Sequence, residues 1–148
     1  MSKVFCGVGS LGHVWKAVRE EADRLPKHPD VEIGFNICSD DGITFYITDF
    51  SIGDKDSIEI PNNDFSIASF HTHPHGHGNA VYGFSVDDIK DSHITSDRFA
   101  FFSDGIELYG VDLNKYMSRL DKCVKHSDYK RITELINERL NVFYMTEV

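Results

Sequence analysis

The chain contains a histidine pair, His71-Thr72-His73, which follows a β-rich run and is followed directly by Pro74. Alternate residues of a strand point to one face of a sheet, so both imidazole rings are expected to converge on one metal ion. Proline cannot donate to a sheet ladder, so Pro74 predicts the end of the strand. Such a pair is only moderately specific, because it occurs in several metal folds and a histidine-rich surface turn also binds metals adventitiously.

The segment Ser85–Asp88 adds a carboxylate to the two imidazoles. Ser85 is a predicted helix N-cap, and Asp88 lies one turn into that helix. Zinc hydrolases commonly use three protein ligands and leave the fourth position for water. We therefore predict a zinc ion (Zn2+) held by His71, His73 and Asp88. The alternative for Asp88 is a residue that only complements the helix dipole.

A further carboxylate must accept a proton from the attacking water. Glu32 is the best candidate for this general base, because it stands near the start of an apolar strand where an acid is otherwise out of place. The simpler alternative is a solvated glutamate. Glu20, Glu21 and Glu59 are weaker alternatives to Glu32 on the wrong elements. Asp87 and Asp91 compete instead with Asp88 for the role of ligand, but the first breaks the S-x-x-D spacing and the second lies a further turn on.

Periodicity and turn signals predict the elements that must position these residues. Helices are expected from Ser10 to about Leu25, from Ser85 through about Ser92, and over much of the tail from Asn114 to about Asn141. Strands are expected at Val31–Cys38, Ile43–Ile52, Phe65–His73, Arg98–Ser103 and Ile106–Leu113, with hairpin turns at Asp41-Gly42 and Asp104-Gly105. The hairpins make the sheet mostly antiparallel, so the fold class is α+β. The helical tail either packs on the core or mediates dimerisation.

Composition narrows the class of protein. A chain of 148 residues fits a single domain, here 1–148 with a helical tail from about residue 114. Its net charge of −9 argues against nucleic-acid binding. Its three cysteines form no C-x-x-C motif, which disfavours a disulfide framework or a cysteine zinc site. With no signal-peptide pattern and no membrane-span pattern, the expected location is the cytoplasm, without a membrane partner.

In order and type, these residues resemble the signature of the JAMM (MPN+) metallopeptidases, also called the JAB1/MPN/Mov34 family. That signature is a Glu on an early strand, then H-T-H-P, then S-x-x-D, and the likeness extends from roughly Ser10 to Leu113. The segment Pro29–Phe35 resembles the strand that carries the family's Glu. The resemblance implies a cytidine-deaminase-like, three-layer sandwich with a curved, mostly antiparallel sheet flanked by helices.

The resemblance also implies a role for each residue. His71, His73 and Asp88 would bind zinc, and Glu32 would take a proton from the attacking water and return it to the leaving amine. Ser85 would donate a hydrogen bond to the developing oxyanion, although it is alternatively only an N-cap. The implied reaction is amide hydrolysis on a protein or peptide substrate, often at the C-terminus of a ubiquitin-like protein.

One segment departs from the family pattern. The spacer between His73 and Ser85, residues 74–84, has eleven residues and is longer than the family usually has. The extra residues fall in the Gly-rich stretch His75–Asn79, where a loop insertion is easily tolerated. We expect His75 and His77 to face solvent; the alternative is that they cap the open zinc position or bind a second ion.

Two alternative functions follow from the same residues. The first is a non-catalytic JAMM-like binding or assembly module, but such family members typically lack one or more ligands, and all five residue types are present here. The second is an amidohydrolase-type barrel with an H-x-H pair, which needs about 250 residues and further ligands. We therefore favour an active metallopeptidase.

Overall fold

The computed structural model describes residues 4–7, 11–25, 31–54, 57–73, 83–103 and 108–143. Within these ranges the chain forms a mixed α+β structure. In chain order the elements are β1 (Val4–Cys6), α1 (Leu11–Arg24), β2 (Ile33–Cys38), β3 (Thr44–Ile52), β4 (Ser66–Thr72), α2 (Val86–Ile94), β5 (Phe99–Ser103), β6 (Leu108–Asp112), α3 (Leu113–Ser118) and α4 (Tyr129–Phe143).

The described strands form one open sheet in the order β1-β3-β2-β4-β5-β6. Every neighbouring pair is antiparallel except β4 and β5, which are parallel. The mostly antiparallel sheet predicted from the sequence is thus confirmed. The hairpin between β2 and β3 is confirmed as well, and the Asp41 carboxylate stabilises its turn by accepting from the backbone amides of Ile43 and Thr44.

Three local predictions were wrong or incomplete. The strand β1 was not predicted, because its three residues are too few to show a period and it forms only by pairing with β3. Leu113, predicted to end a strand, begins α3 instead, since the Asp112 side chain caps that helix by accepting from the Lys115 amide at 3.0 Å. The predicted helical tail is two helices, separated by residues 119–128.

Helix α1 covers one face of the sheet. Its buried residues Val14 and Val18 pack with Phe35, Phe70 and Phe101, which belong to β2, β4 and β5. This is the main apolar cluster, and it is built from the apolar period of α1 and alternate residues of the strands.

The remaining helices cover the opposite face at the β5 and β6 side. Ala100 and Phe102, which alternate with the residues that face α1, pack with Ile89 of α2 and with Ile132 and Ile136 of α4. The tail therefore packs on the core, one of the two possibilities that the sequence left open. Helices lie on both faces, and α2 is held between the sheet and α4.

Some predicted features lie outside the described residues: Ser10 at the start of the first helix, Pro74 and the His75–Asn79 stretch, and the turn Asp104-Gly105. Over the part of the chain that the structure describes, no helix has both the length and the apolar character that crossing a membrane requires.

Candidate metal centre

The two histidines lie where β4 ends between two neighbouring strands. His71 pairs with Gly34 of β2 on one side and with Phe102 of β5 on the other. The backbone amide of His73, one residue beyond β4, donates to the Ser103 carbonyl at 2.8 Å. With both backbones fixed, the two Nε2 atoms lie 2.9 Å apart. Two ring nitrogens repel at that distance unless a proton or a cation lies between their lone pairs.

Gly34 is the residue that lets β2 approach His71. A Cβ atom at this position would lie 3.2 Å from the His71 Cβ, 2.8 Å from Ile60 Cδ1, and closer still to the Phe70 carbonyl oxygen. A backbone carbonyl cannot move aside without breaking the sheet ladder, so a side chain is excluded here. The glycine two residues after Glu32 is thus a requirement of packing at the histidine pair.

An aromatic contact orients the His73 ring. It stacks on Phe102 with centroids 4.8 Å apart and an interplanar angle of 18°. Phe102 is itself held by an edge contact to Phe84 and by stacking on Tyr109. The buried Nδ1 of His73 has no hydrogen-bond partner among the described residues. Stacking takes the place of the hydrogen bond that commonly fixes the ring of a metal-binding histidine.

Asp88 and Ser85 form a capping box at the start of α2, as the sequence predicted for the cap. The Asp88 amide donates to Ser85 Oγ at 3.1 Å, and the Ser85 amide donates to Asp88 Oδ2 at 2.8 Å. This reciprocal pair satisfies two backbone donors that a helix start leaves open. It also fixes the Asp88 carboxylate on the side of the helix that faces the histidines.

The Asp88 carboxylate completes a triangle with the two imidazoles. Its Oδ2 atom lies 3.2 Å from the His71 Nε2 and 3.5 Å from the His73 Nε2. Zinc bonds of about 2.0–2.2 Å in a tetrahedral arrangement place ligand atoms roughly 3.3–3.6 Å apart. The two distances to Asp88 are close to this spacing, whereas the two imidazole nitrogens, 2.9 Å apart, are closer together. Two imidazoles and one carboxylate are also a donor set that zinc accepts.

The electrostatics of the triangle favour an ionised carboxylate. Burial alone would raise the pKa of Asp88, but the neighbouring His71, with further hydrogen bonds from His73 and the Ser85 amide, holds that pKa well below its usual range. Burial opposes charge on His71, yet the Asp88 carboxylate outweighs it and the pKa of His71 is raised. The lowered pKa favours the ionised form of Asp88, the form in which a carboxylate binds a metal.

Glu32 lies at the other side of the histidine pair, directly before β2. Its backbone is fixed by hydrogen bonds with Asp54 and Gly53, both of 2.8 Å. The residue is only 7% exposed, and one carboxylate oxygen lies within 4.8 Å of a ring nitrogen of both His71 and His73. A buried acid at the histidine pair is not a solvated surface residue. It has the position of either a fourth ligand or a group that exchanges protons beside the ligands.

The competing acids do not reach the pair. Asp87 and Asp91 are exposed on α2, and Glu59 is exposed in the segment before β4. Glu20 and Glu21 lie on α1, which covers the opposite face of the sheet.

All five residues singled out in the sequence thus come together at one end of β4, whereas His75 and His77 lie outside the described residues. The contact of Phe102 with His73 was not predicted, because a phenylalanine in a strand indicates only core packing. Asn137 was not predicted either; its side-chain amide forms hydrogen bonds with the backbone of Phe84 just before the capping box. Comparison of the chain with protein-family models, with curated proteins and with solved structures found no match.

Proposed function

We propose that the protein is a zinc-dependent hydrolase of amide bonds, with the fold and site of a JAMM-type metallopeptidase. One observation carries the proposal: His71 Nε2, His73 Nε2 and Asp88 Oδ2 lie 2.9–3.5 Å from one another, with the buried Glu32 beside them. Helices on both faces of a mostly antiparallel sheet support the three-layer sandwich that the sequence resemblance implies.

His71, His73 and Asp88 would hold the ion. When bound, zinc supplies a Lewis acid that polarises a carbonyl and brings the pKa of a coordinated water to about 7. The three residues are suited to this because they come from two rigid elements, the end of β4 and the first turn of α2. A rigid set of three ligands leaves a coordination position for solvent or substrate.

Glu32 would act as the general base and then the general acid. Its carboxylate would accept the proton of the attacking water and return it to the nitrogen of the leaving amine. Its burial beside His71 and His73 favours such a role, because hydrogen bonds are stronger in a site that excludes water. The backbone hydrogen bonds to Asp54 and Gly53 keep the residue in place while the proton moves.

Ser85 would stabilise the oxyanion. Its Oγ accepts a hydrogen bond from the Asp88 amide, and a hydroxyl that accepts one bond still has its proton to donate. The role of N-cap and the role of oxyanion donor are therefore compatible in one side chain. A preorganised donor of this kind is typically worth about 3–4 kcal/mol in the transition state.

The substrate that we propose is a protein or peptide, with an isopeptide bond at the C-terminus of a ubiquitin-like protein as the first class to test. This part rests on the family resemblance of the Glu, H-T-H-P and S-x-x-D segments, and on the amide chemistry that such a site performs.

The experiment that tests the function is the zinc content of untagged protein, measured by elemental analysis for wild type, His73→Ala and Asp88→Ala. We expect about one zinc per chain in the wild type, as a single three-ligand site requires, and loss of it in both variants. The loaded wild type should then cleave an isopeptide-linked ubiquitin-like conjugate, with Glu32→Gln as the inactive control.

Two results would contradict the proposal. Wild type that takes up no zinc, even after reconstitution, would leave a non-catalytic binding or assembly module on this scaffold. Zinc that is retained in both His73→Ala and Asp88→Ala would mean that the metal binds elsewhere.

A further inference from the structure

Helix α4, for which no part in the site was predicted, contacts helix α2 at both of its ends. At the start of α2, the Asn137 side chain makes two hydrogen bonds with the backbone of Phe84: the Phe84 amide donates to Asn137 Oδ1 at 2.9 Å, and Asn137 Nδ2 donates to the Phe84 carbonyl at 2.8 Å. At the end of α2, His93 Nδ1 lies 2.8 Å from the Tyr129 hydroxyl.

The Asn137 amide replaces the strand partner that Phe84 lacks. A primary amide offers a donor and an acceptor side by side, as a strand does at each residue that it pairs. Phe84 lies outside the sheet, with its side chain fully buried against Phe102. Its two backbone groups would be costly to bury without partners.

Gly83 provides a second, independent sign that this contact is built into the chain. Its φ is +151°, a region that side chains rarely adopt, and a Cβ there would lie 3.0 Å from Asn137 Nδ2 and closer to its Cγ and Oδ1. A glycine is thus required where the chain passes Asn137 on the way to Ser85. The Asn137 amide and Gly83 therefore form one close-packed contact.

The contact of Asn137 with Phe84 lies one residue before the capping box that orients Asp88. The Ser85 amide that donates to Asp88 Oδ2 shares a peptide unit with the Phe84 carbonyl that accepts from Asn137 Nδ2. A rotation of that peptide would move the donor away from Oδ2, and with it the carboxylate that completes the triangle with His71 and His73. We propose that Asn137 is a positioning residue for the metal centre, acting through the Phe84–Ser85 peptide on Asp88.

This inference rests on the proposed function, since it concerns how tightly the same site holds its metal. It predicts that removing the Asn137 amide weakens metal binding without removing a ligand. Loss of an outer hydrogen-bond partner typically lowers metal affinity about 10- to 100-fold, and we expect a loss of that size.

The test compares wild type, Asn137→Leu and Asn137→Asp, with Glu138→Gln, an exposed neighbour on the same helix, as the matched control. Zinc affinity is measured by competition with a chromophoric chelator, and the visible absorption of the Co2+-loaded protein reports the ligand geometry. Asn137→Leu should bind more weakly and show a shifted Co2+ spectrum. Asn137→Asp keeps an acceptor for the Phe84 amide and loses the donor, so it provides the test if the leucine variant does not fold.

A purely structural role gives a different pattern. In that case the Asn137 variants melt at lower temperature, but the folded protein binds zinc with wild-type affinity and an unchanged Co2+ spectrum, and the inference is overturned. That result leaves the proposed function intact. Wild type that binds neither zinc nor Co2+ overturns the proposed function and this inference together.

Discussion

The backbone amide of Ile33 donates to the Thr72 hydroxyl at 2.9 Å. Thr72 lies between the two histidines, so strand alternation directs its side chain to the opposite face from their rings. Its hydroxyl holds the backbone of Ile33, the residue after Glu32. Through this bond, the segment that carries Glu32 and the segment that carries the histidine pair are joined beside the candidate metal centre.

Thr72→Val should separate the contribution of that bond from side-chain volume, since the two side chains are nearly isosteric. The Ile33 amide, in a residue only 2% exposed, would lose its partner, which costs roughly 1–3 kcal/mol. Urea unfolding measures this loss. Hydrolysis should also slow, because Glu32 adjoins the freed amide. Unchanged unfolding and unchanged turnover would together show that the bond has no influence.

Glu32→Gln should distinguish a base from a ligand. A glutamine has nearly the same shape but accepts no proton, so turnover should fall by roughly 100- to 10,000-fold. The zinc content should stay at the wild-type level if Glu32 is the base, as we propose. A variant that loses its zinc together with its activity would instead assign Glu32 to the metal as a ligand.

Asp88→Asn should weaken zinc binding by more than the roughly 10- to 100-fold that is typical of an outer partner. The amide keeps an oxygen that can accept from Ser85, so the helix cap is retained while the anionic ligand is lost. Asp87→Asn is the matched control, because Asp87 is exposed in the same turn of α2. Equal zinc affinity for the two variants, measured by chelator competition, would contradict the assignment of Asp88.

Gly34→Ala should destabilise the protein and disturb the site. The new methyl group would meet the Phe70 carbonyl and the His71 side chain, and overpacking of this kind typically costs about 1–3 kcal/mol. The temperature of thermal unfolding and the affinity for zinc should both be lower than in the wild type. The prediction fails if the variant unfolds at the wild-type temperature, since β2 would then have room for a side chain beside His71.

Asp97, which lies apart from the candidate site residues in the sequence, should make the free energy of unfolding depend on pH. Burial raises its pKa from 3.8 to about 6, with the Ser66 hydroxyl opposing the shift. Because the pKa of Asp97 is higher in the folded than in the unfolded protein, the protonated carboxyl stabilises the fold. This contribution is fully present below about pH 4 and is lost as pH rises through about 6. The pKa shift corresponds to a change of roughly 3 kcal/mol in the free energy of unfolding.

The measurement is the free energy of unfolding of wild type and Asp97→Asn across this pH range. Asparagine can still accept a hydrogen bond from Ser66 but does not ionise. The free energy of unfolding of the variant, relative to that of the wild type, should therefore rise with pH, and the variant should be the more stable protein at neutral pH. A difference between the two proteins that does not change with pH would show that Asp97 titrates normally.

The sequence by itself predicted the residues of the candidate site and most of the elements that carry them. Alternation placed His71 and His73 on one face, the S-x-x-D segment indicated the cap at Ser85, and the Asp-Gly turn predicted the hairpin from β2 to β3. These are local properties: strand pleat, capping and turn preference depend on neighbours in the chain.

Tertiary structure decided what depends on residues distant in sequence. The pairing of β1 with β3, the parallel pairing of β4 with β5, and the packing of α4 on α2 leave no local pattern. The same holds for Phe102 beneath His73 and for Asn137 on Phe84. In the sequence these residues are typical of core and surface positions, and only the path of the chain brings them to the candidate metal centre.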